Sequence, residues 1–136
     1  MENLKVLIVD DDPVVVLMHK RIVANCNLSN APLTFKNGKE AFEYISNTND
    51  NSVYLVLLDI NMPVMNGWDF LNSIQEMPND SRFFVMMVSS SVSEPDKEKA
   101  KEYSQVIGYL EKNLNATVCK EIKNIDAISH FFTEEA

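Results

Sequence analysis

Leu4-Lys5-Val6-Leu7-Ile8-Val9-Asp10-Asp11-Asp12-Pro13 is the stretch that decides the fold. An almost unbroken apolar run meets three carboxylates with no spacer. A strand apolar on both faces belongs inside a parallel sheet covered by helices on each side. Asp12 can cap a helix, and Pro13 suits the position after the cap, where no backbone N–H is needed. A buried strand therefore passes directly into a helix, and acids collect at the strand's carboxyl end.

The same alternation recurs outward from there. Leu33–Phe35, Val53–Leu58 and residues 83–88 and 107–110 read as further strands. Between them Val15, Met18 and Ile22 share one helical face, Ala41, Phe42 and Ile45 a second, and Trp68, Leu71 and Ile74 a third. Ser93 with Asp96 has the spacing of a capping box, and Pro95 lies in the first turn. That fourth helix, read to about Gln105, is mostly charged, with Ala100 and Tyr103 facing inward, and is expected to be the most weakly held element. Val118, Ile122, Ile125, Ile128 and Phe132 predict a last helix packed along its whole length. Five β-α units joined by right-handed crossovers give an α/β fold with a doubly wound parallel sheet.

A chain of 136 residues suits one domain, and 46% hydrophobic content is enough for its core. Residues 1–136 are read as that single domain. Lys and Arg number 12 against 20 Asp and Glu, a net charge of −8, so the surface repels phosphate backbones and nucleic-acid binding is not expected. No stretch approaches the ~20 apolar residues of a membrane span. The first apolar run is too short for a signal peptide, so the expected location is cytoplasmic. Cys26 and Cys119 belong to no metal or redox spacing and are expected to be free thiols. His19 and His130 are read as ordinary helix residues far from any strand end.

In doubly wound sheets, function gathers at the carboxyl ends of the strands. Here those ends carry Asp10-Asp11-Asp12, Lys36-Asn37-Gly38, Asp59, Ser89-Ser90-Ser91 and Lys112. Two like charges ~4 Å apart cost on the order of 4 kcal/mol at an effective dielectric near 20. A divalent cation relieves that cost, and Mg²⁺ prefers one or two carboxylates with water and phosphate oxygens. A nucleophilic carboxylate, a metal, a hydroxyl and a fixed cation suit phosphoryl transfer to an aspartate, where positioning and charge spreading do most of the work.

Val9-Asp10-Asp11, the stretch Asp59-Ile60-Asn61-Met62-Pro63-Val64-Met65-Asn66-Gly67, and Ser89, Tyr109 and Lys112 together resemble a response-regulator receiver domain, in its single-domain, chemotaxis-receiver-like form. The resemblance spans nearly the whole chain. It implies a flavodoxin-like (βα)5 fold, its five-stranded parallel sheet in the order 2-1-3-4-5, with no output domain. Asp59 would accept a phosphoryl group from a histidine kinase or a histidine phosphotransfer protein. Asp11, Asp59 and the backbone carbonyl of Asn61 would bind Mg²⁺ directly, and Asp10 through water. Ser89 would bond a phosphoryl oxygen, Lys112 would pair with it, and Tyr109 would be the switch aromatic. The side chains of Asn61 and Ser91 would flank the phosphoryl group.

By the same resemblance the protein is a signalling phosphoacceptor that assists its own phosphorylation and dephosphorylation, not an enzyme acting on a separate substrate. The face formed by the fourth helix, fifth strand and fifth helix would dock a downstream target, pass the phosphate onward, or pair two copies as a homodimer. Trp68 would lie close enough to the site to report Mg²⁺. Asn113 stands where the family usually has a cis-linked proline. A non-proline cis bond costs about 2.5–4 kcal/mol, so a trans Lys112–Asn113 bond is expected.

Three other readings fit parts of the pattern. A haloacid-dehalogenase-type phosphatase would use Asp10 as nucleophile and Asp12 as acid/base, although Pro13 replaces that family's usual Gly-Thr. A pseudo-receiver would be an interaction module that never carries phosphate. A flavodoxin would need a Ser/Thr-rich phosphate loop where this chain has acids.

Overall fold

A computed structural model of the chain describes residues 4–48, 52–78, 82–90, 93–112 and 114–132. Five strands alternate with five helices: β1 (Leu4–Val9), α1 (Pro13–Asn25), β2 (Leu33–Phe35), α2 (Gly38–Asn47), β3 (Val53–Leu58), α3 (Gly67–Gln75), β4 (Phe83–Ser89), α4 (Glu94–Ala100), β5 (Val106–Glu111) and α5 (Ala116–Lys123). The strands form one parallel sheet in the order β2-β1-β3-β4-β5, as in the flavodoxin-like fold. Chain order reverses beside β1, whose neighbours are β2 and β3. The topological switch point therefore lies where Asp10 and Asp59 leave their strands.

Because the sheet is covered on both faces, alternate residues of each strand feed two separate cores. Leu7, Val9, Val56, Leu58 and Val85 pack under α2 and α3 with Ala41, Ile45, Phe70 and Leu71. Val6, Ile8, Leu55, Leu57 and Met86 face α1 and α5 with Val23, Cys119 and Ile122. All six residues of β3 are buried, as the continuous apolar run predicts.

Asp12 caps α1, accepting from the N–H groups of Val14 and Val15, with Pro13 at the first helical position. Ser93 caps α4 by accepting the Asp96 N–H.

Four expectations are corrected. On α1 Ile22 packs inward as expected, but its companions on that face are Val16, His19 and Val23, while Met18 is exposed. Five consecutive apolar residues, Val14 to Met18, blur the period, and the sheet selects a face rotated from the one read in the sequence. Helix α4 stops at Ala100, and turns through Lys101 and Glu102 deliver Tyr103 and Gln105 into buried positions.

The last helix also ends early, at Lys123 with Asn124 as its cap. The chain then turns through Ile125 and Ile128 into a short 3-10 segment at Ser129–Phe131. Ile125, Ile128 and Phe132 still pack on the same core, but from turns. Finally, Cys26 and Cys119 are joined as a disulfide, their Cα atoms 6.5 Å apart. The cap of α1 and the middle of α5 meet under one face of the sheet, and a separation of 93 residues hides that meeting from a reading of spacing.

Candidate phosphoryl and metal site

β1 and β3 run in register, Val9 opposite Leu58, so the residue after each strand emerges at the same height. The Asp59 N–H bonds the Val9 carbonyl at 3.0 Å and the Asp10 N–H bonds the Phe35 carbonyl at 3.1 Å, which carries the ladder one step past the strands. Asp10 and Asp59 are 3% and 5% exposed, whereas Asp11 faces solvent. One carboxylate oxygen from each of Asp10, Asp11 and Asp59 lies within 4.8 Å of the others. These are hard oxygen donors with an open side, and the set fits a divalent cation of the Mg²⁺ type.

Lys112 comes to this cluster from the far side of the sheet. Its Nζ stands 2.8 Å from Asp10 Oδ2 and 3.4 Å from Asp59 Oδ1. The backbone aims it, since the Lys112 N–H donates to the Ser89 carbonyl at 2.8 Å. Burial alone would lower the lysine's pKa, but the hydrogen bond and charge of Asp10, joined by those of Asp59, outweigh it and the net direction is up. Burial pushes Asp59 the other way for a carboxylate, to about 6, with the negative charge of Asp10 adding to the rise and Lys112 opposing it.

The loop after β3 is shaped by close backbone approach. Val64 takes a positive φ of 72° while the Met65 N–H reaches back to the Pro63 carbonyl at 2.8 Å. That reversal brings the Gly67 N–H to the Ile60 carbonyl at 2.8 Å. A Cβ on Gly67 would stand 2.7 Å from the Asp59 carbonyl oxygen and 2.9 Å from the Ile60 Cα. Only glycine lets α3 begin so close to the Asp59 peptide. Asn66 and Asp69 then form a capping box at the start of α3.

Of the residues singled out by sequence, Asp10, Asp11, Asp59 and Lys112 are brought together. Ser89 is fully buried at the end of β4, and Asn61 is exposed in the loop just beyond Asp59. Tyr109 is half-buried on β5. Burial raises the pKa of its phenol, a hydrogen bond with Ser89 opposes that rise, and Asp96 adds to it. The two residues expected to move together are thus already bonded. Ser91 and the Lys112–Asn113 bond lie outside the described residues.

The expectation that His19 lies far from any strand end is corrected, while its reading as an ordinary surface or packing residue holds on the packing side. His19 is 2% exposed, and its Nε2 accepts the Leu114 N–H at 3.4 Å, so the ring touches the loop after β5. The available signal was its spacing, three residues after Val16 and four before Val23, which puts all three on one helical face. His130 is exposed beside Phe131, as expected of a surface residue.

Comparison with known proteins agrees with this geometry. The response regulator receiver domain family matches residues 6–123. Two-component response regulator ARR22 of Arabidopsis thaliana is 30% identical over 132 residues, covering 95% of this chain and 84% of that protein. Two-component response regulator 24 of the same plant is 32% identical, covering 74% of this chain and 68% of the relative. Some relatives are far longer: the chain spans 12% of a gliding motility regulatory protein from Myxococcus xanthus. A two-component response regulator structure from Cytophaga hutchinsonii superimposes with a TM-score of 0.79 at 23% identity, covering 91% of this chain and 96% of that one, a likeness of fold. The matched segment runs from inside β1 to the end of α5 and includes every carboxylate of the cluster, and on that ground the chain belongs to the response regulator receiver domains of two-component systems.

Proposed function

We propose that this chain is a phosphoacceptor switch in a two-component phosphorelay, with Asp59 receiving the phosphoryl group from a phosphohistidine. The convergence of Asp10, Asp11 and Asp59 on Lys112 carries this reading. In the step itself a carboxylate oxygen of Asp59 attacks phosphorus, the donor's P–N bond breaks, and its electron pair leaves with the imidazole. With a pKa of about 6, Asp59 is largely ionised at neutral pH and needs no general base. Asp11, Asp59 and the backbone carbonyl of Asn61 would hold Mg²⁺, with Asp10 linked through water. Bound there, Mg²⁺ neutralises charge on the phosphoryl oxygens.

Lys112 gives up its contact with Asp59 to pair with the new anion. Ser89 has a single hydroxyl proton, so donating it to a phosphoryl oxygen takes it from any partner in the resting state. The Ser89–Tyr109 bond is therefore the element that the phosphate competes with. The segment after Ser89 leads toward α4, so the change is delivered to the face formed by α4, β5 and α5. A cleft there, lined by Lys97, Ala100, Lys101, Val106 and Tyr109, gives a target protein or a second copy a place to dock. Sedimentation with and without a small phosphodonor separates a homodimer from a monomer that waits for a target.

Receiver domains interact with histidine kinases or phosphotransfer proteins, and for this chain we assign that contact to α1. Val14 and Leu17 are 63% and 50% exposed, and Val64 in the loop after β3 is 75% exposed. Leu17 lines a cleft together with Asp10 and Asp11, the side we assign to the approaching donor histidine. No described helix is long and apolar enough to cross a membrane. We place the protein in the cytoplasm and read residues 6–123 as a signalling domain, not an enzyme with its own substrate.

The phosphatase reading is weakened by one observation: the Asp12 carboxylate is spent on the N-cap of α1 and is not available as an acid/base at Asp10. The deciding experiment is Mg²⁺ with acetyl phosphate, followed by mass spectrometry. One phosphate on Asp59, lost in Asp59→Asn, is the expected result. Labelling on Asp10 would support the phosphatase, and no labelling at all would support a pseudo-receiver.

A further inference from the structure

We propose that His19 is a positioning residue for Lys112, holding the loop after β5 so that the lysine's amine stays on Asp10 and Asp59. This rests on the phosphoacceptor reading above but is carried by a different part of the molecule. Lys112 reaches the cluster from a segment whose hydrogen bond on one side goes to β4, through the Ser89 carbonyl. On its other side, two residues on, the Leu114 N–H is accepted by His19 Nε2 across 95 residues of sequence. Leu114 is itself buried, and its side chain packs in the core shared by α1 and α5. The loop is thus pinned at both ends, once by sheet backbone and once by an imidazole.

The chemistry of the imidazole suits that task. To accept at Nε2 the ring must be neutral, with its proton on Nδ1. Burial lowers the pKa of His19 against the raising influence of Asp10, with Lys112 also lowering it, so the accepting form is the one present at neutral pH. A buried backbone N–H without a partner is costly, so removing the acceptor should release Leu114 and let the lysine drift. The sequence adds a reason for such a device. Asn113 stands between Lys112 and Leu114, where a proline would stiffen the loop by itself.

The test compares His19→Leu, which removes the acceptor at similar bulk, with His19→Gln, which can restore it. Two readouts are taken on protein that melts cooperatively. The first needs no phosphate: amide exchange at Leu114 and the NMR shift of the Lys112 Cε–H group. His19→Leu should lose protection at Leu114 and move the lysine signal toward that of an exposed side chain, and His19→Gln should restore both.

The second readout is the rate of labelling by acetyl phosphate and Mg²⁺ in a double-mutant cycle with Lys112→Ala. His19→Leu should slow labelling about fivefold in the wild-type background and add nothing where Lys112 is already alanine, the signature of two residues acting as one. Independent, multiplying effects would overturn the proposal, and so would an unmoved Lys112 signal in His19→Leu. If wild-type protein takes no phosphate on Asp59, the phosphoacceptor reading fails, and the exchange and lysine signals still decide the role of His19.

Discussion

Asp59 is held in a state that the folded chain tolerates only at a cost. Its pKa is raised from an ordinary carboxylate value to about 6, first by burial and then by the charge of Asp10. A carboxyl whose folded pKa lies above its unfolded one contributes stability below the unfolded value, and that contribution is lost as pH rises through the folded value. Above about pH 6 the ionised Asp59 therefore works against folding, by on the order of 3 kcal/mol when each pKa unit is worth 1.36 kcal/mol. Asp59→Asn should accordingly raise the melting temperature of metal-free protein at pH 7.5, and the gain should shrink toward pH 4. Thermal melts across that range check it, and equal gains at both ends would show that charge is not the cause. A divalent cation held by Asp10, Asp11 and Asp59 would relieve that instability.

Among the elements, α4 is read differently in structure and sequence. Its charged composition marks it as weakly held, and it makes little core contact beyond Ala100. Yet its far end is tied to α3 by side chains that helical periodicity does not join. The rings of Trp68 and Tyr103 stack at 6.1 Å, Lys99 Nζ lies 4.5 Å from the centre of the Trp68 ring, and the Tyr103 hydroxyl donates to Asn72 Oδ1 at 2.9 Å. Trp68 is thus placed to report on α4. Its emission should change on phosphorylation, and Tyr103→Phe, which keeps the stack and removes the hydroxyl, should enlarge the change by loosening the tie. A stopped-flow fluorescence trace identical in the two proteins would rule the tie out as a restraint.

The strands were legible because continuous burial leaves a continuous apolar run, and the N-caps at Asp12 and Ser93 because their chemistry is local. Helix ends at Ala100 and Lys123 were not, because tertiary packing of Tyr103 and Ile128 is satisfied equally well from turns. The acidic cluster could be found from strand ends alone. The bond between His19 and Leu114 could not, since nothing local distinguishes a buried acceptor from a packing residue.

At the scale of the whole molecule the sheet divides the work between its two rims and its two faces. At the carboxyl rim β1, β3 and β5 deliver Asp10, Asp59 and Lys112 to one place, and Ser89 ends β4 at the same rim. In the proposed function the α4–β5–α5 side would carry the consequence, and the α1 side would be left for the donor. Nothing about small-molecule phosphorylation requires exposed apolar residues, yet Val14, Leu17 and Val64 are exposed, and Leu17 lines a cleft with Asp10 and Asp11. That cleft, between α1 and β2 and about 690 Å³ in volume, adds Lys20, Phe35 and Lys36 to that surface. Apolar residues ringed by charge are what a transient protein contact uses.

The two kinds of donor should therefore respond differently to one substitution. Leu17→Ala truncates an exposed side chain and should leave stability within about 0.5 kcal/mol, since surface changes away from special features rarely do more. Labelling by acetyl phosphate should be unaltered, because that donor needs only the pocket. Transfer from a phosphorylated histidine protein should fall about tenfold, the loss of roughly 1.4 kcal/mol of docking energy. Parallel rate measurements with the two donors make the comparison. Equal losses would mean that α1 shapes the pocket itself, and no loss with either would move the donor contact elsewhere on the rim.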